Sequence, residues 1–150
     1  MRETEYRGKS IETKKWIYGG FHKWEKRQVC PMGDSLKEDD VSYVITINSF
    51  ADWNMPRNMQ AVEVMPDTVG QYIGRSDKNK KKIYEGDILL TDCWHTLLIV
   101  YFDEDYLQFR VREVVSGREN SIDYYDNNNN VKIEVVGNIY DNPEMLEVER

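Results

Sequence analysis

The sequence predicts a mainly β fold, with a small β-barrel in the C-terminal half and a β-hairpin and loop extension before it. Short alternating apolar runs recur after residue 82 with turn signals between them, the spacing of a small barrel. Ten tyrosines and four tryptophans supply broad apolar faces with one polar edge, as half-buried strands require. Glycine, proline, asparagine and aspartate cluster between the runs.

A first hairpin occupies residues 6–18, turning around Glu12-Thr13-Lys14 and ending at Gly19-Gly20, with Phe21-His22-Lys23-Trp24 as an extension. Residues 31–40 are polar and rich in breakers, which predicts a mobile loop open to proteolysis. Residues 41–47 alternate and predict a strand, and residues 60–64 a shorter one. Between them, residues 48–59 read as irregular yet carry Phe50, Trp53, Met55 and Met59. Such bulky apolar side chains are costly in water, and Pro56 argues against a strand that hides them, so these four residues are the candidate interface. The competing reading is a plug folded over the open end of the barrel.

Residues 65–70 predict a turn in which Pro66 presets one dihedral and Gly70 supplies a positive one, and residues 77–80 predict a second. Strands follow at 87–91, 97–102, 106–115 and 131–136, the last two joined by an extended hairpin loop at 126–130. Leu107, Phe109 and Val111 point one way and Gln108 and Arg110 the other, as one face on a core demands. The expected single core is Tyr84, Ile88, Ile99, Leu107, Phe109, Val111, Val135 and Ile139, with Gly86 at a tight strand entry.

At 150 residues the chain suits one domain, or a small barrel with an appended sub-domain; the division read here is 1–66 for the extension and 67–150 for the barrel. With 40% hydrophobic and 31% charged residues it belongs to the folding class. A net charge of -7 repels phosphate, which disfavours bulk-charge binding to DNA and leaves only a local patch for nucleic acid. Two cysteines are too few for a disulfide scaffold, and the N-terminus shows no basic region followed by an apolar run, so the expected compartment is the cytoplasm. No window approaches the ~20 apolar residues of a membrane span, so no membrane partner is expected.

The sequence points to no catalytic, cofactor-binding or metal-binding residue, and an enzyme is not expected. His22, Cys30, Cys93 and His95 lack the paired spacing of a zinc site, although Cys93 and His95 alternate onto one face; the ordinary reading is a buried thiol and two partly exposed histidines. No nucleophile elbow supports hydrolysis. Asp103-Glu104-Asp105 reads as a solvated hairpin tip rather than a cation site. Gly70, Gly74 and Gly86 lack the strand, glycine-rich turn and helix of a phosphate cradle. The basic run Arg75, Lys78, Lys80, Lys81 and Lys82, opposed by Asp77 and flanked by Tyr72 and Tyr84, has the composition of a single-strand nucleic-acid grip; a charged turn is the plainer reading.

Four segments carry a resemblance: Thr68-Val69-Gly70-Gln71-Tyr72, Asp77-Lys78-Asn79, Ile83-Tyr84-Glu85-Gly86-Asp87-Ile88 and Gly137-Asn138-Ile139-Tyr140-Asp141-Asn142-Pro143-Glu144. Together they resemble the YopX family of bacteriophage and prophage proteins, and Tyr6-Arg7-Gly8-Lys9 with Lys15-Trp16-Ile17-Tyr18-Gly19 fits its opening. The chain departs at Ile73, where the family commonly has Thr, at Arg75, and at Lys80, where Gly would ease the turn; residues 23–40 are poorly constrained. The resemblance implies a Src-homology-3-type β-barrel in the C-terminal half, a Gram-positive host or its phage, and self-association as a homo-oligomer. It implies no reaction and no cofactor. The expected function is a non-enzymatic phage or prophage interaction or assembly module in the host cytoplasm, partnered by itself or by a phage or host protein. The alternative is an accessory single-stranded nucleic-acid binder using the run from Arg75 to Lys82.

Overall fold

Alternation along the chain resolves into antiparallel strands in a computed structural model that describes residues 1–49, 53–126 and 132–147. The chain divides into two compact units, Glu3–Gln71 and Tyr72–Arg150 with Met1–Arg2. Among the described residues, no helix is long and apolar enough to cross a membrane.

The first unit holds β1 (Tyr6–Lys9), β2 (Trp16–Glu25), β3 (Val41–Asn48), β4 (Met59–Glu63) and the start of β5 (Gly70–Ser76). β4, β3, β2 and β1 follow one another across an antiparallel sheet, and Gly70 and Gln71 pair with Arg7 and Tyr6. The glycines do not end β2: it runs through Gly19-Gly20, and a Cβ on Gly19 would collide with the carbonyl oxygen of Thr46. Glycine there permits the close approach of β3. Ile45 and Val64 are fully buried, and a Cβ on Gly8 would stand 3.1 Å from Val64. The rings of Tyr6, Phe21 and Tyr43 line up beside them.

The turn at 65–70 is a 3-10 turn, Pro66–Thr68, but Gly70 supplies no positive φ; it is a buried strand residue opposite Arg7. In the 31–40 loop, Glu38–Asp40 form a 3-10 turn, and Arg27 is paired with both Asp34 and Asp40.

The second unit continues β5 into β6 (Lys82–Tyr84), then β7 (Asp87–Thr91), β8 (Leu97–Asp103), β9 (Gln108–Glu113), β10 (Glu119–Ser121), α1 (Ile122–Asp126) and β11 (Ile133–Asn138). The sheet order is β10-β9-β8-β7-β11, all antiparallel. The core gathers Ile73, Ile83, Leu89, Leu98, Val100, Val111, Ile122, Tyr125, Ile133 and Val135, with Phe109 against it.

Several expectations are corrected here. The predicted single core mixed two faces: Ile88 pairs with Ile99, and the next pair, Leu89 with Leu98, points to the opposite side of the pleat together with Val111 and Val135. Leu107 is not core; it sits in the β8–β9 turn at φ 52 and is exposed, so β9 is shorter than residues 106–115. β9 and β11 are not a hairpin, because β9 lies between β8 and β10 while β11 pairs with β7. The asparagine run at 127–130 lies outside the described residues. Gly86 does sit at a tight entry: its φ is +84, and a Cβ there would stand 3.0 Å from Tyr140.

Candidate interaction surface

The residues that carry the resemblance are occupied by structure. Thr68 Oγ1 donates to the Met65 carbonyl at 2.7 Å and accepts the Lys9 N–H at 2.8 Å, holding the 3-10 turn to β1. The buried Asp77 accepts the N–H groups of Asn79 and Lys81 through one oxygen and of Val135 through the other, at 2.8 to 3.0 Å, which staples the β5–β6 turn to β11. Burial raises its pKa, but those three donors outweigh burial and hold the carboxyl below its usual range. Asp87 accepts the Tyr84 N–H at 2.8 Å across the Glu85-Gly86 turn. Asn138 accepts the Tyr140 and Asp141 N–H groups, and a Cβ on Gly137 would collide with the Asn142 carboxamide. Thr68, Asp77, Asp87, Gly137 and Asn138 thus each close a turn or permit a close approach.

Two of the five basic side chains of the run are paired with carboxylates. Arg75 pairs with Asp123, and Lys78 with Glu134 at 2.5 Å. Lys82 lies 5.1 Å from the centroid of Tyr72, and Lys80 and Lys81 are exposed on the turn. Lys80 adopts φ 65, the conformation that a glycine would take without strain.

Cys30 and Cys93 are both exposed, so the buried thiol expected from the sequence is not found, and both histidines are exposed too. Asp92 accepts a hydrogen bond from Cys93 and raises its thiol pKa, the opposite of nucleophile activation. Among the described residues no group of three or more His, Cys, Asp or Glu side chains is placed to hold a metal ion. Asp103 caps the β8–β9 turn through the Asp105 and Tyr106 N–H groups and pairs with Arg110 at 2.9 Å.

One face of the first unit's sheet carries several large exposed side chains. Cross-strand pairs fix its membership: Gly20 with Thr46 and Ala61, His22 with Val44 and Glu63, Trp24 with Ser42, and Asn48 with Met59. The opposite face carries the buried Ile45 with Phe21 and Tyr43. On the open face Tyr18 is 47% exposed, Trp24 57% and Met59 76%. Two shallow recesses mark it: one of about 580 Å³ lined by His22, Trp24, Val44, Ala61 and Glu63, the other of about 380 Å³ lined by Tyr18, Thr46, Asn48 and Met59. Ser42 Oγ donates to Glu63 at 2.7 Å, a pair that supports the sheet.

Of the predicted interface residues, Met59 therefore lies on this face, Trp53 is 97% exposed and Met55 is exposed, while Phe50 lies outside the described residues. Trp53 covers no core, contrary to the plug reading. Sequence reasoning missed Tyr18, Trp24 and Val44 as surface residues. Their signal was the period-two run Tyr18, Gly20, His22, Trp24.

No curated protein matches the chain. A family model described as YopX protein matches residues 5–147, nearly the whole length. The chain belongs to the YopX family.

Proposed function

We propose that this phage-type protein is a non-enzymatic interaction module that self-associates through the open face of its N-terminal sheet, a phage or host protein being the alternative occupant. The observation that carries this reading is the alignment of Tyr18, Trp24 and Met59 on one exposed sheet face, with Trp53 and Met55 also exposed in the segment that leads into β4. Aromatic and methionine side chains are those enriched in interface cores. Family membership supports the phage setting, and the bacterial cytoplasm is the compartment in which the module acts. The second unit is read as a small, partly open barrel of the Src-homology-3 type: Gly86 bridges β8 and the residue after β11 by donating to Val100 and accepting from Ile139, both at 2.9 Å. Nucleic-acid binding by Arg75, Lys78, Lys80, Lys81 and Lys82 is the weaker alternative, since the first two are already paired with carboxylates.

The test is sedimentation velocity on the wild type and on a Tyr18→Ser, Trp24→Ser, Met59→Ser variant. The reading predicts an assembly in the micromolar range for the wild type and a folded monomer for the variant. A variant that assembles like the wild type contradicts it.

A further inference from the structure

We propose that β4 is a pairing edge, to which β4 of a second copy adds as an antiparallel strand about a two-fold axis at Gln60. This pairing rests on the self-association read above and is the seam where two copies meet.

β4 is the outermost strand of its sheet, and hydrogen-bond parity decides which of its backbone groups are open. Val64 donates to the Tyr43 carbonyl and Ser49 to that of Asn58, so even-numbered residues of β4 bond β3 while Met59, Ala61 and Glu63 turn their N–H and C=O groups outward. At Glu63 the edge is closed: its carbonyl accepts the Ile11 N–H, beside the bridge of Ser10 to Val64. The chain then turns, Lys14 donating to Ser10, and the closure stops. A slot of about 230 Å³ remains between Ile11 and Glu12 on one side and residues 60–63 on the other. Among the described residues no group bonds the outward N–H or C=O of Met59 or Ala61. Edge strands are ordinarily guarded by lysine, proline or a bulge. Met59–Glu63 has none of these.

Register identifies the occupant. With Gln60 on the axis, Met59 of each copy faces Ala61 of the other and the two exchange both bonds, so every open group of both copies is satisfied. The same register sets Arg57 opposite Glu63 at each end of the seam. Both are exposed, and neither forms an ion pair among the described residues. Glu12, beside the slot, adds a second carboxylate for the arginine. An axis at Ala61 would instead offer Met59 a Glu63 carbonyl already taken, and an axis at Met59 would set Arg57 against Ala61. A few exchanged hydrogen bonds contribute little alone. Met59, 76% exposed, lies at the margin of the open face and joins the seam to it.

Cysteine crosslinking tests the register. In a Cys30→Ser, Cys93→Ser background, both native thiols being exposed, Gln60→Cys places two thiols at a non-hydrogen-bonded pair with Cα atoms about 4.5 Å apart, within disulfide reach. Ala61→Cys puts them beyond the ~7 Å limit. Under mild oxidation at micromolar protein, the Gln60→Cys chain should form a disulfide dimer at least about tenfold faster than the Ala61→Cys chain. Glu63→Arg and Arg57→Glu should each slow that crosslink, and the two together should restore it. A double variant as slow as either single one overturns the register, and equal rates at the two cysteine positions overturn the pairing. Protein that assembles by sedimentation while Gln60→Cys fails to crosslink overturns the pairing and leaves the open face standing; a wild type that stays monomeric overturns both.

Discussion

The signature-rich second unit and the open sheet face of the first use their distinctive residues in opposite ways. In the second unit Asp77, Gly86, Asp87, Gly137 and Asn138 each close a turn or permit a close approach. On the first unit's sheet, Tyr18, Trp24 and Met59 keep about half or more of their surface exposed. The residues by which the family is recognised are thus scaffold, and the surface available for recognition carries residues no motif marks. A side chain committed to three internal hydrogen bonds has little left to offer a ligand. An aromatic side chain left half in water has its apolar area still to bury.

The contrast breaks most visibly at Asp77. Asp77→Ala leaves three N–H groups around a buried position without their acceptor, so unfolding experiments should show a loss of about 3 kcal/mol or more. A pH dependence goes with it. The folded carboxyl titrates below its ordinary value of ~3.9, so its contribution is present above that pH and is lost as pH falls through the depressed folded value. Asp77→Asn should therefore flatten the acid limb of the stability profile, and an unchanged limb would remove the charge from the account.

Gly86→Val comes next. Its φ of +84 strains any β-branched residue, and the Tyr140 ring stands in the way, so the expected cost is on the order of 1–3 kcal/mol. A wild-type melting temperature for this variant would contradict the tight-entry assignment.

How far these roles were legible in the sequence follows from range. Strands at 41–47, 87–91 and 97–102 emerged because alternation is local, and the turns at 12–14 and 77–80 because turn chemistry is local too. β10 and α1 were missed: Glu119-Asn120-Ser121 has no apolar alternation, and α1 is too short to show helical periodicity. Leu107 looked like core because it continues the alternation of Phe109 and Val111, but the β8–β9 turn claims it. Both faces of β7 carry a large aliphatic side chain, so which side Ile88 shares with which partner is decided by pairing register and by the bulge between Val135 and Gly137. The open face was illegible for a similar reason, since alternation separates the two faces of β2 without saying which is covered.

Smaller effects sharpen the comparison from the surface side. Lys80 and Lys81 replaced by Gln should change stability by no more than about 0.5 kcal/mol, since exposed charges contribute little. Loss of single-strand binding in a gel-shift assay on that variant would promote the nucleic-acid alternative. Trp53→Ala should be smaller still in thermal unfolding, because the side chain is almost fully exposed. A loss near the ~3 kcal/mol typical of a core aromatic would restore the plug reading.

Amide hydrogen exchange on the wild type, compared between dilute and concentrated protein, tests the central claim most directly. The account predicts that concentration adds protection along β2 and β4, residues Trp16–Glu25 and Met59–Glu63, and leaves β7, β8 and β11 unchanged. Added protection confined to the second unit, with β2 and β4 exchanging as before, would contradict it.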